Sequence, residues 1–120
     1  MRVVLKNPFS NATYPVDGSI VAIIDSGYEG FLAVPKEVFA QLHLDYMLTE
    51  TRTLLLTNGT DLTSTGAYAA LELPLVPIKL DGFVETYDGL DEIILGVQAL
   101  SRLRVTLDYC TKRIKVQPCS

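Results

Sequence analysis

Residues 20 to 35 read Ile-Val-Ala-Ile-Ile-Asp-Ser-Gly-Tyr-Glu-Gly-Phe-Leu-Ala-Val-Pro, and the fold turns on how that stretch is taken. Ile20 to Ile24 is an apolar, mostly β-branched run with no polar alternation, which predicts a strand buried on both faces. Asp25 stops it. A lone carboxylate at the end of such a strand is poorly solvated and needs a physical justification. Ser26 and Gly27 supply part of one, because a small hydroxyl and a residue without Cβ let the backbone turn sharply and let another chain approach closely. Phe31 to Val34 then predicts a short apolar strand.

Asp-Ser-Gly is also an ordinary turn sequence, in which Asp25 does no more than cap the turn of a β domain. The carboxyl-terminal part of the chain repeats the logic of the opening stretch. Glu92-Ile93-Ile94-Leu95-Gly96 is again an apolar strand stopped by glycine, and Val97 to Leu103 again predicts a short helix.

Between the two lie the connecting elements. Arg2 to Lys6 predicts an edge or interface strand that breaks at Asn7-Pro8. Pro15 and Asp17-Gly18 make residues 9 to 18 a turn-rich approach to Ile20. Pro35-Lys36-Glu37 opens a helix, with proline tolerated in the first turn and Glu37 near the positive end. Val38, Phe39 and Leu42 form its apolar face, and His43 falls where a left-handed residue ends a helix, a cap before it is a catalytic base. Thr51 to Thr57, Asn58-Gly59 and Thr60 onward predict a hairpin, since Asn-Gly suits a type I′ turn. Leu75 to Leu80, Asp81-Gly82 and Phe83 to Tyr87 predict a second. Arg104 to Tyr109 and Arg113 to Val116 predict a closing hairpin.

Composition removes several function classes. The 120 residues suit one domain with its own core. A net charge of −4, with no basic run and no aromatic-basic interleaving, argues against nucleic acid and against an anionic membrane as partners. No signal-peptide pattern and no membrane-length apolar stretch occurs, which predicts a cytoplasmic protein. The sequons at Asn11 and Asn58 are then turn sequences that match by chance. Cys110 and Cys119 lack zinc-site spacing and are expected to be free thiols. With His43 as the single histidine, histidine-based metal sites and histidine-activated nucleophiles would all depend on that one residue.

Taken together, Ile24-Asp25-Ser26-Gly27, the helix after it, the hairpin near Asn58-Gly59, and Ile94-Leu95-Gly96-Val97-Gln98-Ala99-Leu100 with Leu107-Asp108-Tyr109 resemble the retropepsin-like aspartic proteases over nearly the whole chain. The nearest likeness is to small prokaryotic members in which an aromatic residue, here Tyr28, follows the triplet. His43 departs from the family, whose helix more often ends in glycine at that point. The resemblance implies a mostly β fold: a closed antiparallel barrel with one or two short helices and one half-site per monomer. It implies an aspartic endopeptidase in which Asp25 from each of two chains activates a water without a metal or cofactor, with Ser26 bracing the triplet loops across a homodimer and Gly27 admitting substrate backbone. Residues 57 to 68, Gly66 among them, become a flap over a bound peptide, and Ile23, Tyr28 and Ile94 become pocket walls. The same fold without catalysis, a silent dimer that binds peptides or scaffolds, is the alternative.

Overall fold

The structure is a computed structural model and describes residues 1–55, 59–74 and 76–119. The chain opens with β1 (Arg2–Lys6), followed by the two-residue strands β2 (Thr13–Tyr14), β3 (Ile20–Val21), β4 (Ile23–Ile24) and β5 (Leu32–Ala33). Helix α1 (Lys36–Gln41) and a 3-10 turn at Leu44–Tyr46 lead into β6 (Glu50–Leu55), β7 (Asp61–Leu73) and β8 (Ile78–Thr86). After β9 (Ile94–Leu95) and the single-turn α2 (Val97–Leu100), the chain closes on the hairpin β10 (Leu103–Asp108) and β11 (Arg113–Pro118). The protein is thus mostly β with two short helices. The main sheet runs β2-β1-β7-β8-β5-β9-β4, with β3 also on β1 and β6 also on β7, and curls into a half-barrel.

The apolar run 20–24 joins the two ends of that sheet by changing partners in its middle. Its first half is antiparallel to β1, with Arg2 opposite Val21 and Val3 opposite Ile20, and Ala22 N donates to Met1 O at 2.7 Å. Ile23 N then donates to Ile93 O at 2.8 Å, and the second half runs parallel to β9. This corrects the expectation of one strand buried on both faces. Ala22 is 1% exposed, whereas Val21 and Ile23 on the other face are 56% and 41% exposed, because only one face of the run meets the core.

The core gathers Leu5, Leu32, Leu42, Leu44, Leu71 and Leu95, all fully buried. At about 1.5–3 kcal/mol for each such side chain, their burial outweighs any single polar contact in the molecule. The α1 face reads as its spacing predicts, with Val38, Phe39 and Leu42 buried. His43 ends the helix with φ 58, the left-handed conformation. Asn7 Nδ2 donates to Leu42 O at 2.9 Å, giving a helix-end carbonyl the partner it would otherwise lack.

Four further expectations are revised. Strand β1 is no edge, since it pairs with β7 on one side and with β2 and β3 on the other. Residues 78–86 form one strand rather than a hairpin about Asp81-Gly82: the ring of Phe31 lies against Gly82 where a Cβ would sit, so the glycine serves close packing and not a turn. Helix α2 stops at Leu100, and Leu103 already belongs to β10. Strands β6 and β7 pair in register from Glu50↔Gly66 to Leu55↔Asp61, and β7 pairs with β8 from Thr65 onward, so that residues 65–68 belong to the sheet-bound part of the hairpin. Asn58 of the expected Asn-Gly turn lies outside the described residues; Gly59 has φ 83.

The β10–β11 hairpin forms on the expected residues, with Cys110 at its turn and Cys119 just past its end both free and exposed. Among the described residues no helix is long and apolar enough to cross a membrane. Among the described residues one buried side-chain polar atom is left without a partner: Thr86 Oγ1, at the end of β8. Thr86→Val keeps the shape and removes that unsatisfied hydroxyl, so it should raise stability by about 1 kcal/mol. Urea unfolding of the two proteins checks this, and a loss of stability would mean that the hydroxyl is satisfied in solution.

Candidate active site

Asp25 leaves β4 held by its backbone. Its N–H donates to Leu95 O at 3.0 Å, and its carbonyl accepts from Tyr28 N at 3.2 Å. The carboxylate Oδ1 accepts from Gly27 N at 2.8 Å, the local bond that lets Asp favour a tight turn. This fixes one carboxylate oxygen while the side chain stays exposed. In the isolated chain Asp25 is therefore well solvated, contrary to the expectation from the apolar run, because the run itself lies at the surface.

The opening stretch and its downstream counterpart meet here. Ile23 stands beside Ile94 and Ile24 beside Leu95 in a parallel ladder, while β5 pairs with the other side of β9, Leu32 opposite Leu95 and Ala33 opposite Ile94. The first amides of α2 stitch the loop between them: Val97 N donates to Tyr28 O at 2.8 Å and Gln98 N to Gly30 O at 3.0 Å. Gly96 is required at this crossing, since a Cβ there would collide with Gly30 O and with Tyr28.

The candidate residues fall into three groups. Asp25, Ser26 and Gly27 share one exposed turn. Ile23 and Ile94 form an adjoining apolar pair, the first exposed and the second half-buried. Tyr28 and Gly66 belong to the inside. Gly66 is buried in the middle of β7 against the ring of Phe83, opposite Glu85 in the ladder. Tyr28 directs its hydroxyl inward, where it donates to the carboxylate of Glu85.

Glu85 is the centre of a polar cluster absent from the sequence reading. It is 0% exposed. Arg52 Nε donates to Oε1 at 2.7 Å and Arg52 Nη2 to Oε2 at 2.5 Å, a bidentate pair. Ser64 Oγ donates to Oε1 at 2.5 Å, and Tyr28 Oη donates to Oε2. Burial works to raise the carboxyl, but the bonds from Arg52, Ser64 and Tyr28 outweigh it and hold Glu85 below its ordinary value of 4.5. The Tyr28 phenol is pushed up by burial and by its bond to Glu85. The same bond to Glu85 raises Arg52, so the pair stays ionised. Tyr87 is raised by burial first, then by the charges of Glu85 and Asp25, so its ring lies within the field of both carboxylates. Arg52 also lines a cleft of about 220 Å³ with Glu50, Tyr68 and Gln98. One signal for this cluster existed in the sequence: a charged residue directly after Phe83-Val84 demands a partner. Nothing in Thr51-Arg52-Thr53 marks that partner, because alternating polar residues read as a solvated strand.

No group of His, Cys, Asp and Glu that could hold a metal ion occurs among the described residues. The lowered Glu85 carboxyl has a consequence for stability. A group depressed on folding stabilises the protein above its unfolded value of about 4.5, and that contribution is lost as pH falls through the lower folded value. The urea midpoint of the protein should therefore drop on acidification below about 4.5, and Glu85→Gln should start lower and respond less to pH in that window. An equally steep acid response in the variant would assign the acid sensitivity to other carboxylates.

No family model matches the chain, and no solved structure does. A protein of Archaeoglobus fulgidus described as uncharacterized is 42% identical over 119 residues, which cover 99% of this chain and 93% of the relative. At that identity and coverage, the chain belongs to the family of this archaeal protein.

Proposed function

We propose that the protein is an aspartic endopeptidase of retropepsin-like architecture, in which two copies each contribute Asp25. The observation that carries this reading is the crossing of the two repeated segments: Asp25 N bonded to Leu95 O, the Ile23–Ile94 and Ile24–Leu95 pairs beside it, and an exposed carboxylate whose Oδ1 is held by Gly27 N. That arrangement fixes a carboxylate by backbone bonds and leaves it open to a second chain. The chain holds one such triplet, so a paired site requires a second copy around a two-fold axis. Exposed Val21, Ile23 and Val97, together with Leu107 and Ile114, supply apolar surface for that contact. Ser26, exposed in the same turn, faces its role as a brace across the pair.

Two carboxylates at roughly 3 Å repel by about 5 kcal/mol at an effective dielectric of about 20, or near four pKa units, so the pair shares one proton. The ionised Asp25 removes a proton from a water held between them, and the oxygen attacks the peptide carbonyl. The protonated Asp25 gives its proton to the carbonyl oxygen, forming a neutral tetrahedral gem-diol. Collapse returns a hydroxyl proton to one carboxylate while the amide nitrogen takes a proton and leaves as the amine. One water is consumed per bond cut, and the pair ends with its single proton. The hairpin β6–β7 covers the bound peptide, and exposed Ile23 with half-buried Ile94 beside it contacts its side chains.

The rate should peak between roughly pH 3 and 6, falling above as the shared proton is lost and below as both carboxyls protonate. Asp25→Asn should bring peptide hydrolysis to background while keeping the fold and the dimer, since an amide matches the carboxyl in size but cannot take a proton. A pH-rate profile of both proteins on a mixed peptide pool, with light scattering across a dilution series, checks all three statements. Equal activity in the variant removes Asp25 from the chemistry. A fully active monomer removes the paired site, and an inactive dimer that still binds peptides returns the silent binding module.

A further inference from the structure

Glu85 joins three parts of the chain that are far apart in sequence: the turn after Asp25 through Tyr28, β6 through Arg52 and β7 through Ser64. Arg52 and Ser64 face each other directly in the hairpin register, so one carboxylate grips both hairpin strands at a single rung. Three changes coincide there. Strand β7 pairs with β8 only from Thr65↔Thr86 inward, so on the other side of the rung the hairpin pairs with itself alone. On the face that Ser64 shares, Ser64 is fully buried, whereas Leu54 and Leu62, the next pair out on that face, are only half-buried. The buried ion pair ends at the same place, with Arg52 partly exposed and Glu85 not at all.

We propose that Glu85 is a positioning residue that fastens the base of the β6–β7 hairpin to the Asp25 turn and sets the Arg52–Ser64 rung as the point beyond which the paired residues 53–55 and 61–63 move. The link to the chemistry is short. Tyr28 gives its hydroxyl to Glu85 and its backbone N–H to Asp25 O, and its carbonyl accepts from Val97 N. A hairpin base that shifted at the rung would therefore drag the residue that holds the Asp25 backbone. With the base fixed, residues 53–55 and 61–63 can move over a peptide while the carboxylate stays in place. The effect on hydrolysis rests on the endopeptidase reading; the location of the rung does not.

Both oxygens of Glu85 remain bonded in Tyr28→Phe, because Arg52 and Ser64 stay, so this variant cuts only the link to the turn. Hydrolysis should lose about tenfold or more in kcat with KM changed by less than about threefold, the signature of a misplaced catalytic group rather than of weakened binding. Ser64→Ala, which frees one hairpin strand, should change KM more than kcat. Native-state hydrogen exchange supplies a readout that does not need activity. In the wild-type protein the hydrogen-bonded amides of residues 53–55 and 61–63 should exchange at least about tenfold faster than those of 50–52 and 64–66. In Tyr28→Phe the amides of Gly27 and Tyr28 should become faster, and in Glu85→Gln the boundary should move inward past residue 52.

Uniform exchange along the hairpin, or unchanged kcat in an active Tyr28→Phe protein, overturns the proposal. If the wild-type protein cuts no peptide at any pH, the endopeptidase reading fails, and the exchange boundary alone decides whether Glu85 fixes the hairpin base. Should Glu85→Gln not fold, the Tyr28→Phe kinetics and the wild-type boundary still decide it.

Discussion

Two backbone hydrogen bonds, Ile23 N to Ile93 O and Asp25 N to Leu95 O, bind the run 20–24 to the far end of the sheet, and the geometry of the molecule follows from them. A two-residue strand has no stability by itself. Strand β4 exists because β9 is already held on its other side by β5, which in turn pairs with β8. The stretch 20–35 thus clasps residues 94–95 from both flanks. Asp25 is placed by main-chain bonds and by its neighbours, and its side chain is committed to one local bond only. A carboxylate that had to hold the fold together would not be available to accept and release protons; here the backbone does the holding.

The same clasp leaves one face of the run uncovered. Val21 and Ile23 alternate outward while Ala22 points to the core, and the exposed β-branched side chains lie in the segment that delivers Asp25. The closing hairpin adds to this surface. Leu103, Val105 and Leu107 stand opposite Pro118, Val116 and Ile114, so one face of β10–β11 is wholly apolar. Its inner half packs toward the core and its outer half, Leu107 and Ile114, is about half exposed. The opposite face carries Arg104, Arg113 and Lys115. Residues 101–119 hold five of the ten basic residues and one of the fourteen acids, an asymmetry that the net charge of −4 conceals. A two-fold contact through the apolar face would leave the basic faces pointing away from each other and avoid the cost of opposed like charges.

Sequence patterns carried the local elements and lost the long-range ones. The α1 helix with its left-handed end at His43, the strand-glycine-helix echo at 94–97, and the closing hairpin were legible because each rests on residues within one or two turns of one another. Burial of the opening run is not legible, because periodicity cannot tell a strand covered on both faces from one that is half exposed and changes partner at Ala22. Asp81-Gly82 misled for a related reason: a dipeptide that favours turns is also what a strand needs where the Phe31 ring crosses it, and the ring is 51 residues away from Gly82 in sequence. The candidate site divides in the same way. Asp25, Ser26 and Gly27 were visible as a triplet, whereas Arg52, Ser64 and Glu85 are unremarkable in their own segments and acquire meaning only when the sheet brings them together.

That cluster also shows why stability alone does not account for the residues present. A buried ion pair roughly breaks even against apolar side chains of the same volume, since desolvation offsets the attraction. Leu or Met at 85, with apolar partners at 52 and 64, would fill the space without the hazard of an unpaired charge. What apolar packing does not supply is direction, because such contacts slide by a fraction of an ångström at little cost. Four hydrogen bonds from Tyr28, Arg52 and Ser64 onto two carboxylate oxygens tolerate far less displacement. If the protein is the endopeptidase proposed above, a site that must hold reacting groups within about 0.5 Å gains from such a constraint where the turn and the hairpin meet. On the proposed reading the buried charge is accounted for by position: it lies where a small slip of one element against another would move Asp25.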